Sequence, residues 1–122
     1  MNLPEFALAS DDGTVVCERC LLAETPFARL RGLLGKRGLP AGEGLLLRPA
    51  ASIHTWFMGF AIDVVFLDRS DRVLKVSSTL RPWRLSSCRK AKAVLELPAG
   101  EASRRGIRPG VSLTRILPKP AV

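Results

Sequence analysis

The sequence predicts a mainly β, α+β domain, with one antiparallel or mixed sheet bent strongly or closed like a small barrel, and one or two short helices. Three observations predict it. Short aliphatic and β-branched runs recur along the chain, each bounded by Gly, Pro or Asp turn signals. Only two brief stretches change to a helical period. Six to eight short strands would leave two exposed edges in an open sheet, and bending or closure covers them.

Taken in order, 6–10 reads as a first strand and Asp11-Asp12-Gly13 as the turn of a hairpin, since Asp-Gly tolerates positive φ. The second strand runs 14–22. Thr25 and Pro26 then suit the N-cap and first position of a helix over 26–35, where Phe27, Leu30, Leu33 and Leu34 share a face. Residues 38–44 are loop, 45–47 a strand that Arg48-Pro49 ends. The central stretch 53–68 reads as an extended segment (53–58), a bend (59–61) and a strand (62–67). After a polar turn at 68–72, a strand at 73–76 makes a hairpin with it. Arg81-Pro82-Trp83-Arg84 is a loop or edge segment, because Pro82 has no N–H for a ladder. A strand at 92–97, a short helix at 101–105 closed by Gly106, a Pro109-Gly110 turn and a last strand at 111–117 follow. Residues 1–122 are expected to form a single domain, with 118–122 as a flexible tail.

With 122 residues and 47% hydrophobic content, one core needs no disulfide or metal staple. The net charge of +8 favours anionic partners, although the basic residues are scattered in the sequence. No basic, then apolar, leader opens the chain, and no run is apolar enough to span a bilayer. Three cysteines, an odd number, fit a reducing compartment, so the cytosol is expected and a membrane is not.

Residues 53–68 hold the single histidine, one of two tryptophans and one carboxylate inside the longest apolar run. Alternation over 53–58 would put His54, Trp56 and Met58 on one face. Asp63 should be hydrogen-bonded or paired, since an unpaired buried carboxylate costs several kcal/mol. It either ties down the bend or lines a cleft with His54, Trp56 and Met58. A His54–Asp63 pair would serve as base and orienter, yet spacing specifies no nucleophile. Glu96 is expected to face solvent from its strand; the alternative is that it pairs with an arginine or joins Asp63 in the cleft.

Cys17-Glu18-Arg19-Cys20 is half a zinc or redox motif, and Cys88 with His54 would complete a Cys₃His set. Positions i and i+3 of a regular strand face opposite sides, however, so these thiols converge only at a turn or bulge. No second metal-ligand motif is present. Packed thiols are therefore the expectation, with no cofactor.

Four motifs in order resemble one known family. They are Arg31-Gly32-Leu33-Leu34-Gly35-Lys36 with Gly42-Glu43-Gly44-Leu45-Leu46-Leu47; His54-Thr55 with the run from Phe60 to Asp68; Val94-Leu95-Glu96-Leu97-Pro98-Ala99-Gly100; and Gly106-Ile107-Arg108-Pro109-Gly110. The family is the uncharacterised domain of unknown function 192, and the resemblance covers roughly residues 14–117. It implies a small, mostly β, barrel-like domain and no established activity. Asp63, Glu96 and Gly100 lie in its shared motifs. Many members have Trp in place of His54 and Pro in place of Ala61, and the Cys17/Cys20 pair is not general.

The leading functional expectation is a small-ligand or partner-binding accessory module with a cleft at the Asp63 bend, lined by His54, Trp56, Asp63 and Glu96. One rival is a small hydrolase using Asp63 and His54. Another is a basic protein docking on nucleic acid or an anionic surface.

Overall fold

The computed structural model describes residues 3–25, 33 and 36–116. The helix expected over 26–35 falls, apart from Leu33, outside them. The described residues form β1 (Glu5–Ser10), β2 (Val15–Ala23), β3 (Glu43–Leu47), β4 (Ser52–His54), β5 (Ile62–Leu67), β6 (Val73–Leu80), β7 (Leu85–Ser87), β8 (Ala93–Pro98), a one-turn helix α1 (Glu101–Arg104) and β9 (Leu113–Ile116). Seven strands make one mixed sheet in the order β6-β5-β8-β3-β2-β1-β9, and β4 pairs with β7 as a separate ribbon. Only β2 and β3 run parallel, and a long connection separates them as parallel pairing requires.

The sheet curls. Its two ends approach at one corner, where Arg72 and Ser112 form a bridge and the Val73 and Leu113 N–H groups donate to Val111 O and Asp71 O at 2.8 and 2.9 Å. This half-barrel makes two cores. The first holds Phe6, Leu8, Cys17, Cys20, Leu95 and Leu97, and α1 caps it through Ala102. The second, on the other face, holds Leu45, Val64, Phe66 and Val94 and is covered by Ile53 and Met58 from the ribbon region. β5 and β8 are consequently buried along both faces. Such strands read as continuous apolar runs rather than alternations. That corrects the expectation for Glu96. Alternation does set it opposite Leu95 and Leu97, but its side of the sheet is a second core and not solvent.

The expected extended segment over 53–58 also needs correcting. β4 ends at His54, and the chain turns at Trp56 and Phe57, with Phe57 at φ 65. His54 and Trp56 are exposed while Met58 is buried, so the three do not share a face. A turn places side chains by its own dihedrals, which a period of two does not capture.

β2 resolves the cysteine problem by a bulge. Leu8 pairs with Cys17 and Phe6 with Cys20, so three residues of β2 span two of β1. Glu18 and Arg19 absorb the extra position on the outside, and both thiols point inward. Gly44 makes room for them. A Cβ there would sit 2.9 Å from Cys17 Sγ and 3.1 Å from the Glu96 carbonyl oxygen. Only glycine allows so close an approach of backbone.

Candidate functional site

Asp63 is the second residue of β5, in register with Leu97, and is fully buried. Its carboxylate accepts three backbone N–H groups: Thr79 on Oδ1 at 2.8 Å, and Gly100 and Ala102 on Oδ2 at 3.0 and 2.9 Å. Charge-assisted bonds of this kind are about twice as strong as neutral ones. They fix awkward backbone. Thr79 has φ 49 and Gly100 has φ 90, and Ala102 lies in the first turn of α1. Asp63 therefore fastens the end of β6 and the β8–α1 corner to the sheet, rather than the bend at 59–61.

A concave groove of about 350 Å³ lies beside this anchor. Val76 and Ser78 of β6 line one wall, and Ala102, Ser103, Ile107 and Arg108 the other. Asp63 joins both walls from beneath through Thr79 and Ala102. None of the four residues expected to line a cleft is in the groove's lining.

Elsewhere, the ribbon carries exposed aromatic groups. β4 and β7 pair Ser52 with Ser87, Ile53 with Ser86 and His54 with Leu85. Ile53 and Ser86 face the core, while His54 and Leu85 face out. Trp56 stacks on His54 with centroids 4.7 Å apart, and the Trp56 backbone N–H donates to His54 Nδ1 at 3.3 Å. Phe57 meets Trp83 edge-on at 4.7 Å. Phe57, Trp83 and Leu85 are 74%, 56% and 67% exposed. Phe57 and Trp83 also adopt positive φ, 65° and 63°, a conformation costing bulky residues on the order of 1–3 kcal/mol.

Thr55 holds this arrangement. It is fully buried, its hydroxyl donates to Arg81 O at 2.5 Å and accepts the Arg84 N–H at 2.9 Å. Its own N–H donates to Arg84 O, and its carbonyl accepts the N–H groups of Met58 and Trp83. One threonine thus stitches the turn after β4 to the turn before β7. Sequence reasoning missed Thr55, Phe57, Trp83 and Leu85 as site residues. The available signal was two aromatic turns free of carboxylates, the second of them, Arg81-Pro82-Trp83-Arg84, carrying two arginines.

The expected pairs are not assembled as drawn from sequence. His54 is on the exposed ribbon and makes no hydrogen bond to Asp63, whose oxygens are taken by backbone. Glu96 pairs in register with Val64, one position from the Asp63–Leu97 pair, so the two carboxylates lie on opposite faces of the sheet. Glu96 is buried between Leu45 and Val64, with Oε2 lacking a hydrogen-bond partner among the described residues. Burial pushes its carboxyl up to about 7. The neighbouring Cys17 thiol, and then burial, push the Cys20 thiol up; Cys17 Sγ donates to Gly42 O at 3.5 Å and Cys20 Sγ to Leu21 O at 3.8 Å. Cys88 packs against the other core and His54 faces solvent, so the four proposed zinc ligands do not converge. Among the described residues no three His, Cys, Asp or Glu side chains gather as a metal site, and no helix is long and apolar enough to cross a membrane.

Two outcomes follow from the buried carboxyls. Asp63→Asn presents an amide N–H₂ to at least one backbone donor, and urea denaturation should show a loss of about 2–4 kcal/mol. For Glu96, the unfolded carboxyl ionises near 4.5 and the folded one near 7. Between these values the folded state holds the extra proton, so stability falls as pH rises and levels off above 7. The fall amounts to roughly 3 kcal/mol at about 1.4 kcal/mol per pH unit. Denaturation midpoints of Glu96→Gln should be flat over this range and above those of the parent at pH 8.

Comparison with known proteins gives a consistent picture. The family model DUF192, described as an "Uncharacterized ACR", matches residues 7–115. A UPF0127 protein of Thermococcus sibiricus is 38% identical over 93 residues, spanning 72% of this chain and 60% of that protein. Another, from Pyrococcus horikoshii, is 39% identical over 83 residues, 65% of this chain and 71% of its own length. A Sinorhizobium meliloti 1021 protein, named as a candidate transcription regulator, superposes with a TM-score of 0.84 at 20% identity, over 94% of this chain and 96% of its own. A Novosphingobium aromaticivorans protein of unknown function superposes at 0.79 with 24% identity, over 92% and 84%. At these identities the structures show a shared fold. The curled β-sheet and the match over nearly the whole described chain make this protein a member of the DUF192 family.

Proposed function

We propose that the chain is a binding module whose contact surface is the β4–β7 ribbon, with His54, Trp56, Phe57 and Trp83 as contact residues. One observation carries the reading: aromatic side chains are held out in solvent on backbone that is strained to present them. Exposed apolar groups bring folding little, and positive φ at Phe57 and Trp83 costs stability. A cost kept at two touching residues, and locked by the fully buried Thr55, is the signature of a site rather than of a core. Trp, Phe and Arg are also the residues that dominate contact surfaces.

Asp63 enters as a positioning anchor, and Glu96 as a buried carboxyl under the ribbon's side of the sheet. The hydrolase reading is weaker on the same geometry, since a base must reach its proton at about 2.6–3.2 Å and Asp63 is enclosed by its three donors. On the preferred reading the module works in the cytosol, a setting its three free thiols suit.

A thermal-shift screen of nucleotides, sugars, peptides and metals on the parent and on a Phe57→Gly/Trp83→Gly variant tests it. Glycine relieves both positive φ values, so the variant's own stability should stay within about 1 kcal/mol of the parent. A compound that stabilises the parent should lose its shift in the variant. A shift retained there, and lost instead on substituting Ser103 and Arg108 of the groove, would refute the ribbon as the binding surface.

A further inference from the structure

We infer that the occupant of the ribbon is single-stranded nucleic acid; the inference rests on the reading of the ribbon as a binding surface. The first argument is charge. From Arg72 through Leu95 the chain has no Asp or Glu, and this span carries Lys75, Arg81, Arg84, Arg89, Lys90 and Lys92. From Gly44 through Ile62 there is again no carboxylate, and the one arginine there, Arg48, is paired with Asp71. These two spans supply the ribbon and its turns. Among the described residues Arg81, Arg84, Arg89 and Lys90 are exposed and make no ion pair. Lys75 reaches the ribbon as well, donating to Ser87 O at 2.8 Å. The scattered basic residues of the sequence thus include Arg81 and Arg84 in the aromatic turn before β7 and Arg89 and Lys90 in the turn after it, a ribbon with unpaired cations at both ends that calls for an extended anion.

The second argument is the rings. The Trp56–His54 stack and the Phe57–Trp83 pair give two aromatic platforms, and Arg81 and Arg84 flank Trp83 in the chain, with the Arg84 guanidinium donating to the Trp83 carbonyl at 3.4 Å. Bases stack on such rings, arginine adds cation–π contact, and phosphates are met by the surrounding cations. A duplex keeps its bases stacked on one another, so open rings suit unpaired bases. A bilayer fits less well, because rings entering it would carry Arg81, Arg84 and His54 with them. The third argument is preorganisation. Thr55 bonds both turns before any ligand arrives, so little ordering remains to oppose association.

The test is fluorescence anisotropy of a labelled 20-residue oligothymidylate with the full chain at 50 and 200 mM salt. Saturable binding is expected, weakening roughly 20- to 100-fold between the two salts if about three to five phosphates are contacted. Trp56→Ala and Trp83→Ala should each weaken it by about 5- to 100-fold while circular dichroism and melting show an intact fold. Arg81→Ala/Arg84→Ala should reduce the salt dependence. No saturable binding at 50 mM salt, or an affinity unchanged in a Trp56→Ala/Trp83→Ala double variant, overturns the inference. Phosphatidylserine vesicles form the second arm. If vesicles bind, the oligonucleotide does not, and the Trp variants lose the vesicles, the partner class is wrong but the ribbon stands. If an oligonucleotide or vesicle binds regardless of the Trp and Arg substitutions, both readings fail.

Discussion

The buried carboxylate of Asp63 is the interaction on which the rest of this structure depends. Removing a carboxylate from water costs several kcal/mol, and it is tolerable only where hydrogen bonds to the charged form replace the lost water. Here three backbone N–H groups do so, and they come from two separate places, the end of β6 and the corner between β8 and α1. The anion therefore gathers distant chain segments onto β5. It also lets Thr79 and Gly100 hold positive φ, which their positions in the corner require. The two cores form around β5 and β8, the strands that this corner secures.

The ribbon is organised by a different kind of group. Thr55 is neutral, fully buried and bonded through both its hydroxyl and its backbone to the segment 81–84. Where Asp63 fastens the inner architecture, Thr55 fastens what faces outward. Division of labour follows from chemistry. A charge that attracts several N–H donors suits a multi-segment corner, while a hydroxyl that both donates and accepts suits a join between two turns. The exposed rings of Trp56, Phe57 and Trp83 then stand on rigid supports.

Much of the fold was legible. The Asp11-Asp12-Gly13 hairpin, the β5–β6 hairpin, the short helix before Gly106 and the bent sheet all follow from turn residues and short apolar runs. Alternation failed where a premise of it failed. Glu96 was expected in solvent because one face of a strand usually is, and β8 instead has a core on each side. Cys17 and Cys20 converge because a bulge adds a residue, and no spacing rule announces a bulge. Of the expected site, the need for a partner at Asp63 was visible from the cost of burying charge, whereas which donors met it depended on chain segments 16 to 39 residues away. The ribbon was hidden for a related reason. Trp56 was expected in a cleft beside Asp63 and Trp83 in a separate loop or edge segment, and only the turns at Phe57 and Trp83, with their positive φ, bring the two onto one exposed ribbon.

The central claim is that the ribbon, and not the groove beside the Asp63 anchor, is where a partner binds. The most direct measurement is a ¹⁵N-resolved NMR titration of the full chain with oligothymidylate, following backbone amides and the two indole N–H resonances. The account predicts that both indoles and the amides of 54–57 and 81–87 shift together, while those of 100–108 stay in place. Shifts centred on 76–78 and 102–108, with the indoles unmoved, would contradict it.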